Sequence, residues 1–84
     1  MKTYTDGQQK STLNAEVLRV IRKSRRESQT KFWRRFGVTQ SRGSRFELGT
    51  EMPSPITILI KLYLDGVIGD SDLLRARRKK LLES

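Results

Sequence analysis

The side chains of this 84-residue chain that could do chemistry are hydrogen-bond donors and acceptors, not proton shuttles. The sequence has no cysteine and no histidine. Thiolate chemistry is therefore excluded, and the commonest metal ligand and general base are both missing. The carboxylates are scattered, so no acid/base pair or metal set can be assembled; we expect no enzyme, no metal and no cofactor. What the chain does concentrate is Gln, Ser and Arg, in "FGVTQSRGSRFELG" at residues 36–49. A glutamine amide can bridge N6 and N7 of adenine, and a guanidinium can bridge O6 and N7 of guanine. Gln40, Ser41 and Arg42 stand together, and Arg45 falls one helical turn beyond Ser41 on the same face.

Charge points the same way. The chain carries 18 basic and 9 acidic residues, for a net +9. Ten of the basic groups (Arg19, Arg22, Lys23, Arg25, Arg26, Lys31, Arg34, Arg35, Arg42 and Arg45) lie in residues 19–45, with Glu27 as the lone acid. The rest of the chain is balanced, so the whole excess sits in that window. A localised surplus of this kind marks a polyanion site, most often nucleic acid; the alternative is a solvated basic face kept for solubility.

Those residues need short helices to hold them. Residues 1–11 are polar and read as a mobile arm, leaving 12–84 as one domain. Thr12 or Asn14 can cap a first helix reaching about Ser24, with Val17, Leu18 and Ile21 as its apolar stripe. Ser28 caps a second helix, roughly 28–36, whose buried face is Phe32, Trp33 and Phe36. Gly37 suits a left-handed helix end, Val38 plugs the turn, and Thr39 caps a third helix at about 39–47 with Phe46 inward. Gly49 ends it. Ser54 as cap and Pro55 as first residue open a fourth helix, with Ile56, Leu59, Ile60, Tyr63 and Leu64 inward and Asp65–Gly66 closing it. Asp70 or Ser71 caps a fifth helix at about 70–83, carrying Leu73, Leu74, Leu81 and Leu82. The expected fold class is all-α, with five helices. No apolar run approaches the ~20 residues of a membrane span, and the N-terminus has no apolar signal core, so a cytoplasmic protein with no membrane partner is expected.

Two short helices joined by a tight glycine-containing turn, both inside the basic window, have the spacing of a helix-turn-helix that lays its second helix in the DNA major groove. "SQTKFWRRFGVTQSRGSRFELG", residues 28–49, resembles the Cro-like, XRE-type phage and bacterial repressors, whose pattern is approximately S-Q-x-x-L-A-x-x-x-G-V-[ST]-x-x-x-[IV]-S-x-[YFW]-E-x-G. Ser28, Gln29, Phe32, Gly37, Val38, Thr39, Ser44, Phe46, Glu47 and Gly49 fit it without a gap, and Pro53 with the apolar helix after it matches what usually follows. The resemblance covers roughly residues 17–74. It implies a five-helix repressor-like bundle and a transcriptional regulator, expected to be a repressor.

Residue roles follow from the resemblance. Gln40, Ser41 and Arg45 match the family's base-reading positions, and Arg42 could read a base or hold a phosphate. Gln29 matches a position that holds a backbone phosphate and packs on the first glutamine of the third helix. Thr39, Lys31, Arg26 and the backbone near Thr50 are further phosphate candidates. Arg22, six residues before Ser28, matches an arginine that pairs with the glutamate at Glu47, clamping the first helix to the third; the alternative is two unconnected surface charges. Arg34 and Arg35 could contact DNA or simply suit the end of the second helix electrostatically.

The chain departs from the pattern at two positions. Trp33 stands where the family has Ala, and Gly43 where it has Ile or Val. These positions face one another in the family fold, so the indole is expected to fill the space left at Gly43; the alternative is that Gly43 loosens the helix until DNA orders it. The expected partner is a double-stranded DNA operator, bound as a homodimer. Leu74, Leu81 and Leu82, with Tyr63, Leu64 and Val67 as neighbours, are the expected dimer surface. The rival reading is an antitoxin or anti-repressor that uses the same fold mainly to bind a protein partner.

Overall fold

The computed structural model describes residues 13–78. The expected arm and Leu81 and Leu82 lie outside the described residues. Among those described there are five helices and no strand: α1 (Ala15–Ser24), α2 (Gln29–Arg34), α3 (Gln40–Glu47), α4 (Ser54–Leu64) and α5 (Asp70–Arg78). No helix among them is long and apolar enough to cross a membrane.

Side-chain caps fix the starts of the first three helices. Asn14, rather than Thr12, opens α1 by accepting the Val17 N–H at 2.9 Å. The Ser28 hydroxyl accepts the Lys31 N–H and that of Thr39 accepts the Arg42 N–H. Each satisfies a first-turn donor that the helix itself cannot.

The helix ends repeat one device. At the end of α2 the Val38 N–H returns to the Trp33 carbonyl and the Gly37 N–H to that of Arg34, with Gly37 at φ +77°. Gly49 and Gly66 close α3 and α4 in the same way. This double back-bond satisfies the last carbonyls and requires a left-handed residue. It also ends α2 at Arg34, short of the expected residue 36. The end of α1 uses the same pattern without glycine: Arg26 takes φ +59° while its N–H bonds Lys23 O and that of Glu27 bonds Arg22 O.

Two starts differ from the sequence reading. Ser54 does not cap α4, because the Pro53 carbonyl already accepts the Ile56 and Thr57 N–H groups; Pro53 takes the cap position and Ser54 is the first helical residue. Neither Asp70 nor Ser71 caps α5. The Gly69 carbonyl accepts from Leu73, the Asp72 carboxylate reaches back to the Gly69 N–H at 2.8 Å, and Asp70 is engaged elsewhere.

The core is Leu18, Phe32, Trp33, Phe36, Val38, Phe46, Ile60, Tyr63 and Leu73. An aromatic chain runs through it from α3 to α4. Phe46 meets Trp33 at 5.5 Å between centroids, Trp33 meets Phe32 at 5.3 Å, Phe32 meets Phe36 at 5.5 Å, and Phe36 meets Tyr63 at 5.4 Å. The edge-to-face pairs among them contribute about 0.5–1.5 kcal/mol each beyond their buried area. α3 rests on α2 and α1, so these rings are the floor on which its outer face is presented.

Candidate nucleic-acid interface

α3 is two-faced. Gly43, Phe46 and Glu47 are buried, whereas Gln40, Ser41, Arg42 and Arg45 are exposed. Gly43 lets the helix approach α2 closely. A Cβ built there would overlap Cγ and Cδ1 of Trp33 and lie 2.8 Å from Cδ2, so the indole occupies the space a side chain would need.

The same indole does something that volume arguments do not anticipate. Its Nε1 donates to Glu47 Oε2 at 2.8 Å. Glu47, only 1% exposed, also receives both arms of Arg22, Nε to Oε2 at 2.8 Å and Nη2 to Oε1 at 2.9 Å. Gln29 Nε2 donates to Oε1 at 3.2 Å. Arg19 Nη1 donates to the Glu47 backbone carbonyl, capping the C-terminus of α3 from α1. Arg22 Nη1 bonds the Glu27 carbonyl as well, tying α1, the following turn and α3 together. Burial alone would push the Glu47 carboxyl up, but the donors from Arg22, Trp33 and Gln29 outweigh it and hold it below the ordinary carboxylate range. The Arg22 guanidinium is correspondingly held above its usual value by its bond to Glu47.

From this buried carboxylate the bonding passes outward. Gln29 Oε1 accepts from Gln40 Nε2 at 2.7 Å, so the first exposed side chain of α3 is held against the first residue of α2. Arg42 lies along its own helix with Cζ 5.4 Å from the Phe46 ring centroid. Ser41 and Arg45 stand exposed on the next turn positions of the same face. Leu48, 79% exposed, continues that stripe three residues past Arg45; its spacing was visible in the sequence, but it did not figure among the expected contacts.

The phosphate candidates are spread around this face. Gln29 is half-buried, while Thr39, Lys31 and Arg26 are exposed. The expectation for the backbone at Thr50 needs correction: its N–H closes α3 on the Arg45 carbonyl at 3.0 Å, which leaves the hydroxyl as the donor there.

A second ionic cluster takes Arg35 out of the interface. Arg35 is 7% exposed and makes a bidentate pair with Glu27, at 2.7 and 2.8 Å, while its Nε meets Asp70 Oδ1 at 2.7 Å. Its Cζ lies 4.9 Å from the Tyr63 ring centroid, and Arg25 stacks on the same ring at 5.0 Å while bonding its hydroxyl. The Arg35 hydrogen bonds pull the Glu27 and Asp70 carboxyls below their ordinary values. Arg34 is exposed and Arg77 bonds the Arg35 carbonyl from α5. Of the ten cations in the basic window, Arg19, Arg22, Arg25 and Arg35 are thus engaged within the protein, a division that a charge count cannot make.

The fold and this face define a helix-turn-helix protein, with α2 and α3 as the motif. Comparison with known proteins narrows the class. The family model of the RsaL-like helix-turn-helix domain matches residues 19–63. A solved structure from work on the quorum-sensing repressor RsaL of Pseudomonas aeruginosa superposes with a TM-score of 0.69 at 48% sequence identity, covering 75% of this chain and 93% of that one. A search of curated proteins gives no match. The chain belongs to the RsaL-like helix-turn-helix family. The repressor part of the sequence resemblance is carried by these findings; the family they name is RsaL-like rather than XRE-type.

Proposed function

We propose that this chain, a DNA-binding transcriptional repressor of the RsaL-like class, reads its operator in the manner of the Cro-like, XRE-type proteins. α3 lies in the major groove, with Gln40, Ser41 and Arg45 at base edges. The observation that carries this reading is the two-faced α3: a buried side locked by Glu47, Trp33 and Gly43, and an outer side of exposed amide, hydroxyl and guanidinium groups. The network fixes α3 on α1 and α2 and holds Gln40 through Gln29 before DNA arrives.

Arg42, drawn along the helix toward Phe46, is better placed for the flanking backbone than for a central base. Gln29, Lys31, Arg26 and the hydroxyls of Thr39 and Thr50 hold phosphates, fixing the register without reading sequence. One such domain covers only a few base pairs, so specific binding requires a dimer with half-sites about one helical turn, ~34 Å, apart. Leu74 and Val67 are exposed and available for that contact, with Leu64 half-buried beside them; Tyr63 belongs to the core and is excluded from it.

The test is selection of bound duplex from a random library, followed by titration of the selected site against scrambled duplex across a salt series. A two-fold related site bound ~10³-fold or more tighter than scrambled DNA is expected. Replacing Gln40 or Arg45 by Ala should each relax preference at one base pair per half-site, by about 1–3 kcal/mol. Weak binding that is equal for all sequences and abolished by modest salt would overturn the reading.

A further inference from the structure

Leu48 is the most exposed of the large apolar side chains among the described residues, at 79%. A single exposed leucine needs no explanation by itself. This one is set apart by its place. Ser41, Arg45 and Leu48 follow one another at helical spacing, on the side of α3 turned away from the buried Gly43, Phe46 and Glu47. Leu48 takes no part in the core, yet its backbone is pinned. Its N–H bonds the Ser44 and Arg45 carbonyls at 3.1 and 3.0 Å. The Gly49 and Thr50 N–H groups close the helix just after it, and Arg19 holds the Glu47 carbonyl just before it. The isobutyl group is thus carried outward from a fixed point, in line with the polar side chains of the reading face.

We propose that Leu48 reads the 5-methyl group of a thymine in each half-site, next to the base pair read by Arg45. The inference rests on the major-groove reading proposed above. A phosphate calls for a hydrogen-bond donor or a positive charge, and the leucine side chain has neither. On the major-groove edge of the bases the thymine methyl is the apolar group, and apolar side chains recognise it by contact. Spacing agrees with this. Leu48 lies ~4.5 Å beyond Arg45 along the helix, at a rise of ~1.5 Å per residue. That is close to one base-pair step of ~3.4 Å, so the contact falls on the neighbouring pair. Cytosine carries only a hydrogen where thymine carries its methyl, so the contact tells one pyrimidine from the other without a hydrogen bond.

The experiment takes the site selected by wild type and replaces its thymines by deoxyuridine one at a time. Each replacement removes the methyl and leaves every hydrogen-bonding group in place. Uracil at one position, beside the base pair whose preference is lost in Arg45→Ala, should weaken wild-type binding by about fourfold, the worth of burying one methyl-sized group. Leu48→Ala should bind the thymine and uracil duplexes equally at that position, while its Arg45-dependent preference persists. Leu48 is exposed, so the melting temperature of Leu48→Ala should stay level with wild type. Uracil that weakens wild type and Leu48→Ala alike would overturn the assignment, because the methyl is then felt by another group or through the shape of the duplex. A wild type indifferent to uracil at every position, or a selected site with no thymine beside the Arg45 pair, would also overturn it; in these cases a surviving Arg45-dependent preference leaves the major-groove reading standing. A wild type with no preference at any base pair would overturn the major-groove reading itself.

Discussion

Adding one methyl group at Gly43 tests how α3 is seated. Gly43→Ala places a Cβ against Cγ, Cδ1 and Cδ2 of Trp33, at the root of the ring rather than at the end of a flexible side chain. The indole cannot move aside easily. It is fully buried, has Phe32 at 5.3 Å and Phe46 at 5.5 Å, and is tied by Nε1 to Glu47 at 2.8 Å. Overpacking a tight core costs about 1–3 kcal/mol. Displacing the indole also weakens the Glu47 bond, and a buried acceptor short of a donor costs about 1–3 kcal/mol more. Against these, Ala is better than Gly inside a helix by about 1 kcal/mol. The expected net loss is about 1–5 kcal/mol. At roughly 4–8 °C per kcal/mol for a domain of this size, Tm should fall by about 5–40 °C, with Val falling further. Thermal unfolding followed by circular dichroism measures it, with tryptophan emission reporting the ring. The double variant Trp33→Ala with Gly43→Val should be less destabilised than the sum of its parts, because the new side chain enters the vacated space. A rise in Tm for Gly43→Ala, or strict additivity in the double variant, would refute the packing argument.

Three other expectations rest on different parts of the molecule. Arg26→Gly relieves a left-handed non-glycine residue and should raise stability by about 1 kcal/mol in chemical denaturation, while weakening DNA binding uniformly if Arg26 holds a phosphate. Arg35→Met leaves Glu27 without its bidentate partner and should cost about 3–5 kcal/mol, yet leave the salt dependence of DNA binding level; a shallower salt slope would return Arg35 to the interface. The carboxyls of Glu27, Glu47 and Asp70 all titrate below their ordinary values in the fold. Their contribution is complete above the unfolded values of about 4 and is lost as pH falls through the lower folded ones. The urea midpoint should therefore be level from about pH 5.5 to 7.5 and drop below about pH 4.5, with a shallower drop in Glu27→Gln.

Where the local chain decides the structure, the sequence was legible. Ser28 and Thr39 cap their helices through their own hydroxyls, and Gly37, Gly49 and Gly66 end helices because only residues at ease with positive φ close them cheaply. Helical spacing placed Phe32, Trp33, Phe36 and Phe46 in the core and turned Gln40, Ser41 and Arg45 outward. Those signals fix an all-α helix-turn-helix and a candidate reading face.

What the chain could not announce depends on which side chains meet across space. Arg26 takes a left-handed conformation that its residue type disfavours, because the turn into α2 requires one there. Pro53 and Gly69 displace Ser54 and Asp70 as helix caps, since competing partners already hold the groups involved. In sequence Arg35 is one cation among ten, and only the arrival of Glu27 and Asp70 makes it a buried strut. The Trp33 and Gly43 pair reads as an exchange of volumes; tertiary structure adds the indole N–H on Glu47, and with it a directed path to Gln40. Periodicity and capping act within a turn or two of the chain. Hydrogen-bond direction and charge neutralisation are settled between elements, and there the fold decided.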